Sequence, residues 1–155
     1  MKRLLLIIVL VVGTMILYVC CSSDNTCHQN LYVVTEANFY TLKNDTATIV
    51  TMDSIWVKGL NNDSIIYNNT KSVSSINLPL RKMQDTTVFV VRFNNVYDTL
   101  HIVYTNNRQY LSLECGCLVT QTLDSTYSTH HKIKRSKITQ PNVGTTEVEN
   151  LQIYF

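Results

Sequence analysis

The sequence predicts an all-β protein, an antiparallel two-sheet sandwich of immunoglobulin-like architecture that follows an N-terminal lipoprotein signal segment. Apolar and polar residues alternate with a period of two from Leu31 onwards, and no stretch after Cys21 keeps helical spacing for three turns. Pairs of asparagine, which tolerates the backbone of tight turns, separate the apolar runs. At 155 residues the chain has room for one core. We therefore expect a signal peptide over residues 1–20, a tether over 21–30 and a β-sandwich domain over 31–155.

The start of the chain has the features of an export signal. Lys2 and Arg3 precede an apolar run that lasts, with one Gly-Thr interruption, until Val19. A helix needs about 20 apolar residues to span a bilayer, so an uncleaved membrane anchor is the alternative. Cys20 and Cys21 come next and are followed by polar residues, which indicates lipoprotein processing. We therefore expect a lipid on Cys21 or Cys20, and two or more acyl chains there would make anchoring stable.

The charge distribution argues against one class of partner. Lys2 and Arg3 account for the whole formal charge of +2, so the rest of the chain is formally neutral. A neutral domain has no broad electrostatic field that attracts polyanions, so we expect no nucleic-acid partner.

The leader and the lipidation site predict the location of the protein. We expect it in the bacterial cell envelope, lipid-anchored to a membrane that we take to be the outer membrane. Other envelope proteins are its candidate partners.

Eight strands follow from the alternation, with a ninth near Ile133–Ile138. Phe89, Val91 and Phe93 share one face of a strand, and Asn94-Asn95 is predicted to be the turn of a hairpin. The other asparagine pairs, also predicted to lie in turns, are Asn61-Asn62, Asn68-Asn69 and Asn106-Asn107. The eight predicted strands are Leu31–Tyr40, Ala47–Lys58, Ser64–Tyr67, Val73–Leu80, Thr87–Phe93, Val96–Thr105, Tyr110–Leu123 and Glu147–Phe155.

Three cysteines remain after the leader: Cys27, Cys115 and Cys117. Alternation along the predicted strand Tyr110–Leu123 points both Cys115 and Cys117 into the core. Disulfides persist in exported proteins, so we expect Cys27 to be bridged to one of the two, with one buried free thiol left over. A zinc or redox site is a weak alternative because a C-x-C spacing without a second ligand pair is not a metal motif.

Several of these motifs together resemble a known family. They are Cys21 and Cys27 with five residues between them, Leu78-Pro79-Leu80, Asp98-Thr99-Leu100, and the run from Tyr110 to Gly116. The chain is similar to an uncharacterised family, a domain of unknown function, of Bacteroidetes lipoproteins of similar length. The resemblance implies that Cys21 is lipidated and that Cys27 is bridged to Cys115. Cys117 departs from the family's pattern, which keeps a bridge from Cys27 to Cys117 open.

Other titratable residues give weaker signals. Of the histidines, His28 and His101 stand alone, whereas His130 and His131 adjoin and would face opposite ways in a strand, so we expect no metal site. Glu147 and Glu149 are predicted to share one face of the last strand. Paired carboxylates can act as acid and base, but without a nearby His or Arg they are more simply surface residues. The basic segment His130–Lys137 could rest on anionic headgroups or a glycan, or be an ordinary exposed hairpin.

An Asp followed by Ser or Thr and then a small, apolar or Thr residue occurs six times. This pattern is similar to the acceptor motif for O-linked glycosylation of exported proteins in the same bacterial group. Alternatively, Asp with Ser or Thr simply marks strand starts and turns. The candidate acceptors are Thr46, Ser54, Ser64, Thr86, Thr99 and Ser125.

These observations favour a noncatalytic envelope lipoprotein with a structural or binding role. The sequence contains no nucleophile–base pair and no metal constellation at a convincing spacing, so we expect no enzyme activity and no cofactor. The alternative is a small outer-membrane β-barrel, suggested by the terminal alternation of Leu151, Ile153 and Phe155. An enzyme is the least favoured class.

Overall fold

The computed structural model describes residues 27–61 and 64–155, so the predicted signal peptide and the lipidation candidates Cys20 and Cys21 lie outside the described residues. The described residues form β-strands and no helix. The strands are β1 (Thr35–Lys43), β2 (Thr46–Ile49), β3 (Met52–Gly59), β4 (Ile65–Val73), β5 (Ser75–Leu78), β6 (Thr86–Phe93), β7 (Val96–Ser112), β8 (Gly116–Ser128), β9 (Arg135–Ile138), β10 (Asn142–Val143) and β11 (Glu149–Tyr154).

The strands form two open sheets. In the five-stranded sheet, β1 pairs with β2 and β5 along one side and with β11 on the other, and β9 follows β11. The six-stranded sheet has the order β10-β8-β7-β6-β3-β4. Every pairing is antiparallel except that of β1 with β11. The predicted all-β sandwich is confirmed: the two sheets are not closed into a barrel.

The core lies between the sheets and is built from alternate residues of their inner strands. Phe89, Val91 and Phe93 are buried on one face of β6, as predicted. Phe93 makes edge-to-face contacts with Phe39 and Phe155 of the opposite sheet, at ring-centroid distances of 6.0 and 4.7 Å. Aromatic pairs of this kind contribute about 0.5–1.5 kcal/mol beyond burial, so they tie the two sheets together.

Asparagine forms turns at some of the predicted positions. Asn94 has a φ of 55° in the turn between β6 and β7, which confirms the predicted hairpin. Asn61 also has a positive φ, of 60°, in the turn that follows β3. The turn predicted at Asn106-Asn107 is wrong, because both residues lie inside β7, where Asn106 is paired with Gln121. The pair Asn68-Asn69 is likewise inside a strand, at an irregularity in the pairing of β4 with β3.

Two predicted strands are each divided in the structure. The stretch Ala47–Lys58 is two strands, because the chain leaves β2 in one sheet and enters β3 in the other. The stretch Tyr110–Leu123 is broken by the β7–β8 turn at residues 113–115, after which Gly116 takes a left-handed φ of 67°. Alternation alone does not reveal such breaks, because each side of a break keeps the same period of two.

The break before Gly116 overturns the predicted position of two cysteines. Cys115 lies in the turn and Cys117 is exposed, so neither points into the core and the free thiol is not buried. A disulfide joins Cys115 to Cys27, with 4.8 Å between their Cα atoms, and this is the pairing that the family resemblance implies. It closes a loop with a sequence separation of 88. The chain-entropy model gives such a loop about 4–5 kcal/mol of stabilisation.

Candidate functional site

A buried carboxylate at the start of β7 fixes the loop between β8 and β9. Asp98 lies on the inner face of β7 and is 1% exposed. One oxygen, Oδ1, accepts hydrogen bonds from the backbone N–H of His131 at 2.7 Å and from Thr129 Oγ1 at 2.8 Å. The other, Oδ2, accepts from the N–H of Lys132 at 2.6 Å and of Ile133 at 2.9 Å. All four donors belong to the same loop, so Asp98 holds that loop against the sandwich.

The pKa of Asp98 follows from the competition between burial and these donors. Burial disfavours the ionised form and by itself would raise the pKa. The backbone N–H groups of Ile133, His131 and Lys132, together with the Thr129 hydroxyl, outweigh it and lower the pKa below its ordinary value of 3.8. In the sequence, Asp98 falls on the same strand face as Leu100, Ile102 and Tyr104 and interrupts that apolar face. An acid at an inward-facing position is the signal that identifies it, because a buried carboxylate needs donors.

The outer face of the six-stranded sheet carries a row of aromatic and cationic side chains. Neighbouring strands bring Trp56, Arg92 and Tyr97 into one cross-strand row. The Arg92 guanidinium lies 5.5 Å from the centroid of Trp56 and 5.7 Å from that of Tyr97, within cation–π range. Its Nη2 donates to Asn69 Oδ1 at 2.5 Å and its Nη1 to Tyr97 Oη at 3.3 Å.

A second aromatic contact lies further along the same outer face. The rings of His101 and Tyr127 stack with centroids 4.4 Å apart and an interplanar angle of 13°. Together with Trp56, Arg92 and Tyr97 they form what we call the aromatic face. Tyr97 and Tyr127 are 51% and 52% exposed, so the rings are open to a partner. Arg, Trp and Tyr are the residues enriched at the energetic centres of protein interfaces, whereas nothing in this row is arranged as a nucleophile with a base.

The outer face of the five-stranded sheet carries a polar cluster centred on Glu149. Its Oε2 accepts hydrogen bonds from Asn38 Nδ2 and Tyr40 Oη, both at 2.7 Å, and its Oε1 accepts one from Gln152 Nε2 at 2.7 Å. The hydrogen bond to Glu149 is the main reason that the pKa of Tyr40 is raised above its ordinary value of 10.0, and burial adds to it. The carboxylate is therefore saturated by its neighbours and serves to join β1 to β11.

The structure separates the two carboxylates that the sequence predicts on one strand face. Glu149 begins β11, whereas Glu147 is exposed in the preceding loop. Of the adjacent histidines, His131 lies in the β8–β9 loop with its Nδ1 at 2.9 Å from the Tyr97 carbonyl oxygen, and His130 Nδ1 lies 3.2 Å from the Ile133 carbonyl oxygen. Among residues 27–61 and 64–155, no three His, Cys, Asp or Glu side chains come close enough to hold a metal ion.

The basic segment spans the β8–β9 loop and the edge strand β9 and is not a hairpin, because β9 pairs with β11. Lys132, Lys134, Arg135 and Lys137 are all exposed, and Arg135 covers the ring of Tyr154 with its Cζ 4.2 Å from the centroid. Lys132 lies beside Asp98, near the start of β7 and far from the β7–β8 turn. About 45 Å of strand lies between Asp98 and that turn.

The candidate glycosylation acceptors differ in exposure. Thr46 at the start of β2 and Ser125 in β8 are exposed, as is Ser64 just before β4. The other three acceptors are half-buried within or at the start of strands: Ser54, Thr86 and Thr99. A sugar could be attached to the exposed acceptors without disturbing strand packing.

Two open grooves flank the β7–β8 hairpin where it leaves the sandwich. The larger, of about 670 Å³, is lined by residues that include Met83, Tyr104 and Arg108. The smaller, of about 370 Å³, lies beside Gln121 and Val143. The linings mix polar and apolar side chains, and one hydrogen bond, from Gln121 Nε2 to Asn106 Oδ1 at 3.2 Å, links a residue of one groove to a residue of the other. Asp85 and Arg108 are the charged residues in the lining of the larger groove.

In the part of the chain that the structure describes, no helix is long and apolar enough to cross a membrane.

Comparison with known proteins places the chain in a family. No curated protein and no solved structure matches the chain. A family model matches residues 54–155, which include Asp98, the whole aromatic face and Cys115. Because the match covers more than half of the sequence, the chain belongs to DUF6452, a family of unknown function.

Proposed function

We propose that this protein is a lipid-anchored lipoprotein of the bacterial cell envelope, with a noncatalytic binding role and no cofactor. The observation that carries the proposal is the disulfide between Cys27 and Cys115, in a chain whose leader ends at Cys20-Cys21. Disulfides persist outside the reducing cytoplasm, and the leader supplies the route of export. The resemblance to Bacteroidetes lipoproteins supports the same cellular location, at the outer membrane.

The aromatic face is the surface that we assign to binding. Arg92 is held by Asn69 and by the rings of Trp56 and Tyr97, so it is ordered before any partner arrives. A guanidinium has five N–H donors, and the bonds to Asn69 and Tyr97 engage two of its nitrogens. Partly exposed rings around a fixed cation suit a protein partner that offers an apolar patch and a carboxylate. Another envelope protein is the partner class we propose.

Incorporation of radiolabelled palmitate tests the anchor. The wild-type chain expressed in its native host should be labelled, and Cys21→Ser should abolish the label. Cys20→Ser is the matched control and should keep it. If only Cys20→Ser loses the label, Cys20 is the lipidated residue. An unlabelled wild-type chain recovered from the cytosol with reduced thiols would refute the proposal.

Photo-crosslinking in intact cells tests the binding surface. A photoreactive phenylalanine analogue in place of Tyr97 should give a defined crosslinked band, and Arg92→Ala should weaken that band. The same analogue in place of Tyr32, which is 61% exposed but lies away from the aromatic face, is the control. Equal crosslinking from both positions, or none from Tyr97, would contradict the assignment.

We also propose O-linked glycosylation of the exported chain, at Thr46 and Ser125 before the other acceptors. Both are exposed and each follows an aspartate, Asp45 and Asp124. Intact-mass measurement of the protein from its native host should show added hexose-type mass. Asp45→Asn with Asp124→Asn should reduce that mass, and an unmodified wild-type mass would refute this part of the proposal.

A further inference from the structure

The turn of the β7–β8 hairpin presents an apolar surface to solvent. Leu113, in the turn, is 90% exposed, the largest value for any large apolar side chain among the residues that the structure describes. Tyr110, three residues earlier, is 60% exposed. β6 pairs with β7 only as far as Val103, whereas β8 continues to pair with it as far as Ser112. The hairpin therefore projects beyond the sandwich and carries these side chains at its tip.

The disulfide places the start of the described chain at this same tip. Cys27 is bonded to Cys115, which is two residues from Leu113. Six residues lead from Cys21 to Cys27, and a chain of that length reaches at most about 20 Å. A lipid on Cys21 would therefore keep the hairpin tip close to the bilayer surface. If Cys20 carried the lipid, the reach would be only one residue longer.

We infer that the hairpin tip is a second membrane contact, in which Leu113 and Tyr110 insert into the interfacial region of the bilayer beside the lipid anchor. This inference rests on the proposed lipid anchor. The occupant is a lipid surface because the short tether holds the tip at the bilayer, and a bilayer is the apolar phase within that reach. The disulfide thus sets the orientation of the domain in addition to stabilising its fold.

The side chains at the tip match the interfacial region. Transfer of a leucine side chain from water into an apolar phase is favourable in free energy. Tyrosine is enriched at the membrane–water boundary, where its ring is buried and its hydroxyl stays hydrated. Glu114 is exposed beside Leu113, and its carboxylate limits insertion to the headgroup level. The tip therefore touches the bilayer with one or two side chains and does not cross it.

Tryptophan fluorescence tests the contact in the full, acylated chain. Trp56 is the only tryptophan and lies in the row of Tyr97, about 45–50 Å along β7 from the tip, so it serves as a distal reporter. The test variant carries Leu113→Trp in a Trp56→Phe background. Both proteins are reconstituted into vesicles of phosphatidylethanolamine and phosphatidylglycerol that contain brominated lipid. We expect Leu113→Trp to be quenched severalfold more strongly than Trp56 of the wild type.

A second variant separates the tip from the tether. Cys27→Ser with Cys115→Ser, added to the reporter background, should lower the quenching severalfold while the protein still floats with the vesicles. If Leu113→Trp is unquenched in a protein that floats, the tip contact is wrong and the anchor stands. If quenching survives loss of the disulfide unchanged, the proposed role of the tether is wrong. A chain that does not float overturns both the anchor and the contact.

Discussion

Replacing Asp98 by asparagine should destabilise the domain far more than an isosteric change on the surface would. Each carboxylate oxygen accepts two hydrogen bonds from the β8–β9 loop, Oδ1 from Thr129 and His131, and Oδ2 from Lys132 and Ile133. Whichever way an amide is turned, its NH₂ group replaces one of these oxygens and faces two donors. Asp98→Asn therefore loses two charge-assisted hydrogen bonds without creating a cavity.

The magnitude follows from those two bonds. Hydrogen bonds to charged groups contribute about 1.5–3 kcal/mol each, so the free energy of unfolding should fall by about 3–5 kcal/mol once partial rehydration of the loop is allowed for. That is a large share of the roughly 5–15 kcal/mol by which domains are stable. Asp124→Asn is the control, because Asp124 is exposed and accepts one hydrogen bond from Thr105 Oγ1 at 3.1 Å. It should cost no more than about 0.5 kcal/mol.

Urea unfolding with the disulfide intact, followed by circular dichroism, gives the free energies by linear extrapolation. The pH dependence supplies a second test. Because the pKa of Asp98 is lowered in the folded state, its contribution is present above the ordinary value of 3.8 and is lost as the pH falls through the folded value. The stability gap between wild type and Asp98→Asn should therefore narrow below pH 3.8. A gap under about 0.5 kcal/mol at neutral pH would refute the reasoning.

Three further outcomes are expected of the purified domain. Cys27→Ser with Cys115→Ser should lower the free energy of unfolding by about 4–5 kcal/mol in urea, and an unchanged value would contradict the loop-closure argument. Cys117 should react with a thiol reagent under native conditions at the rate of an exposed thiol, where a buried one would need denaturant. Glu149→Gln should lower the pKa of Tyr40 in a spectrophotometric titration, since the hydrogen bond to the Glu149 carboxylate is the largest cause of the raised pKa and burial a smaller one. An unchanged pKa would assign the whole shift to burial instead.

The sequence was sufficient to predict the fold class because a period of two persists through most of the chain. The β6 face of Phe89, Val91 and Phe93 could be predicted residue by residue, as could the Asn94 turn, since both depend only on neighbours in sequence. The assignment of strands to the two sheets could not be predicted from the sequence. The split between β2 and β3 and the parallel pairing of β1 with β11 are decided by contacts distant in sequence.

The candidate site was less predictable for the same reason. Trp56, Arg92 and Tyr97 are far apart in the sequence, and only the register of β3, β6 and β7 brings them into one row. The position of Cys117 was predicted wrongly because alternation was extended across a turn, residues 113–115, that contains neither proline nor glycine and is only followed by Gly116. Asp98 looked like an interruption because its four donors lie more than thirty residues further along the chain.

The two roles that we propose, membrane contact and partner binding, lie at opposite ends of the long strand β7. Ser112 ends β7 at the turn that the disulfide joins to the tether, whereas Tyr97 and Asp98 lie at the opposite end, about 45 Å away. A domain held by the tip therefore presents the Trp56–Arg92–Tyr97 row away from the bilayer. Lys132 lies at that distal end too, which argues against the basic segment resting on headgroups of the anchoring membrane.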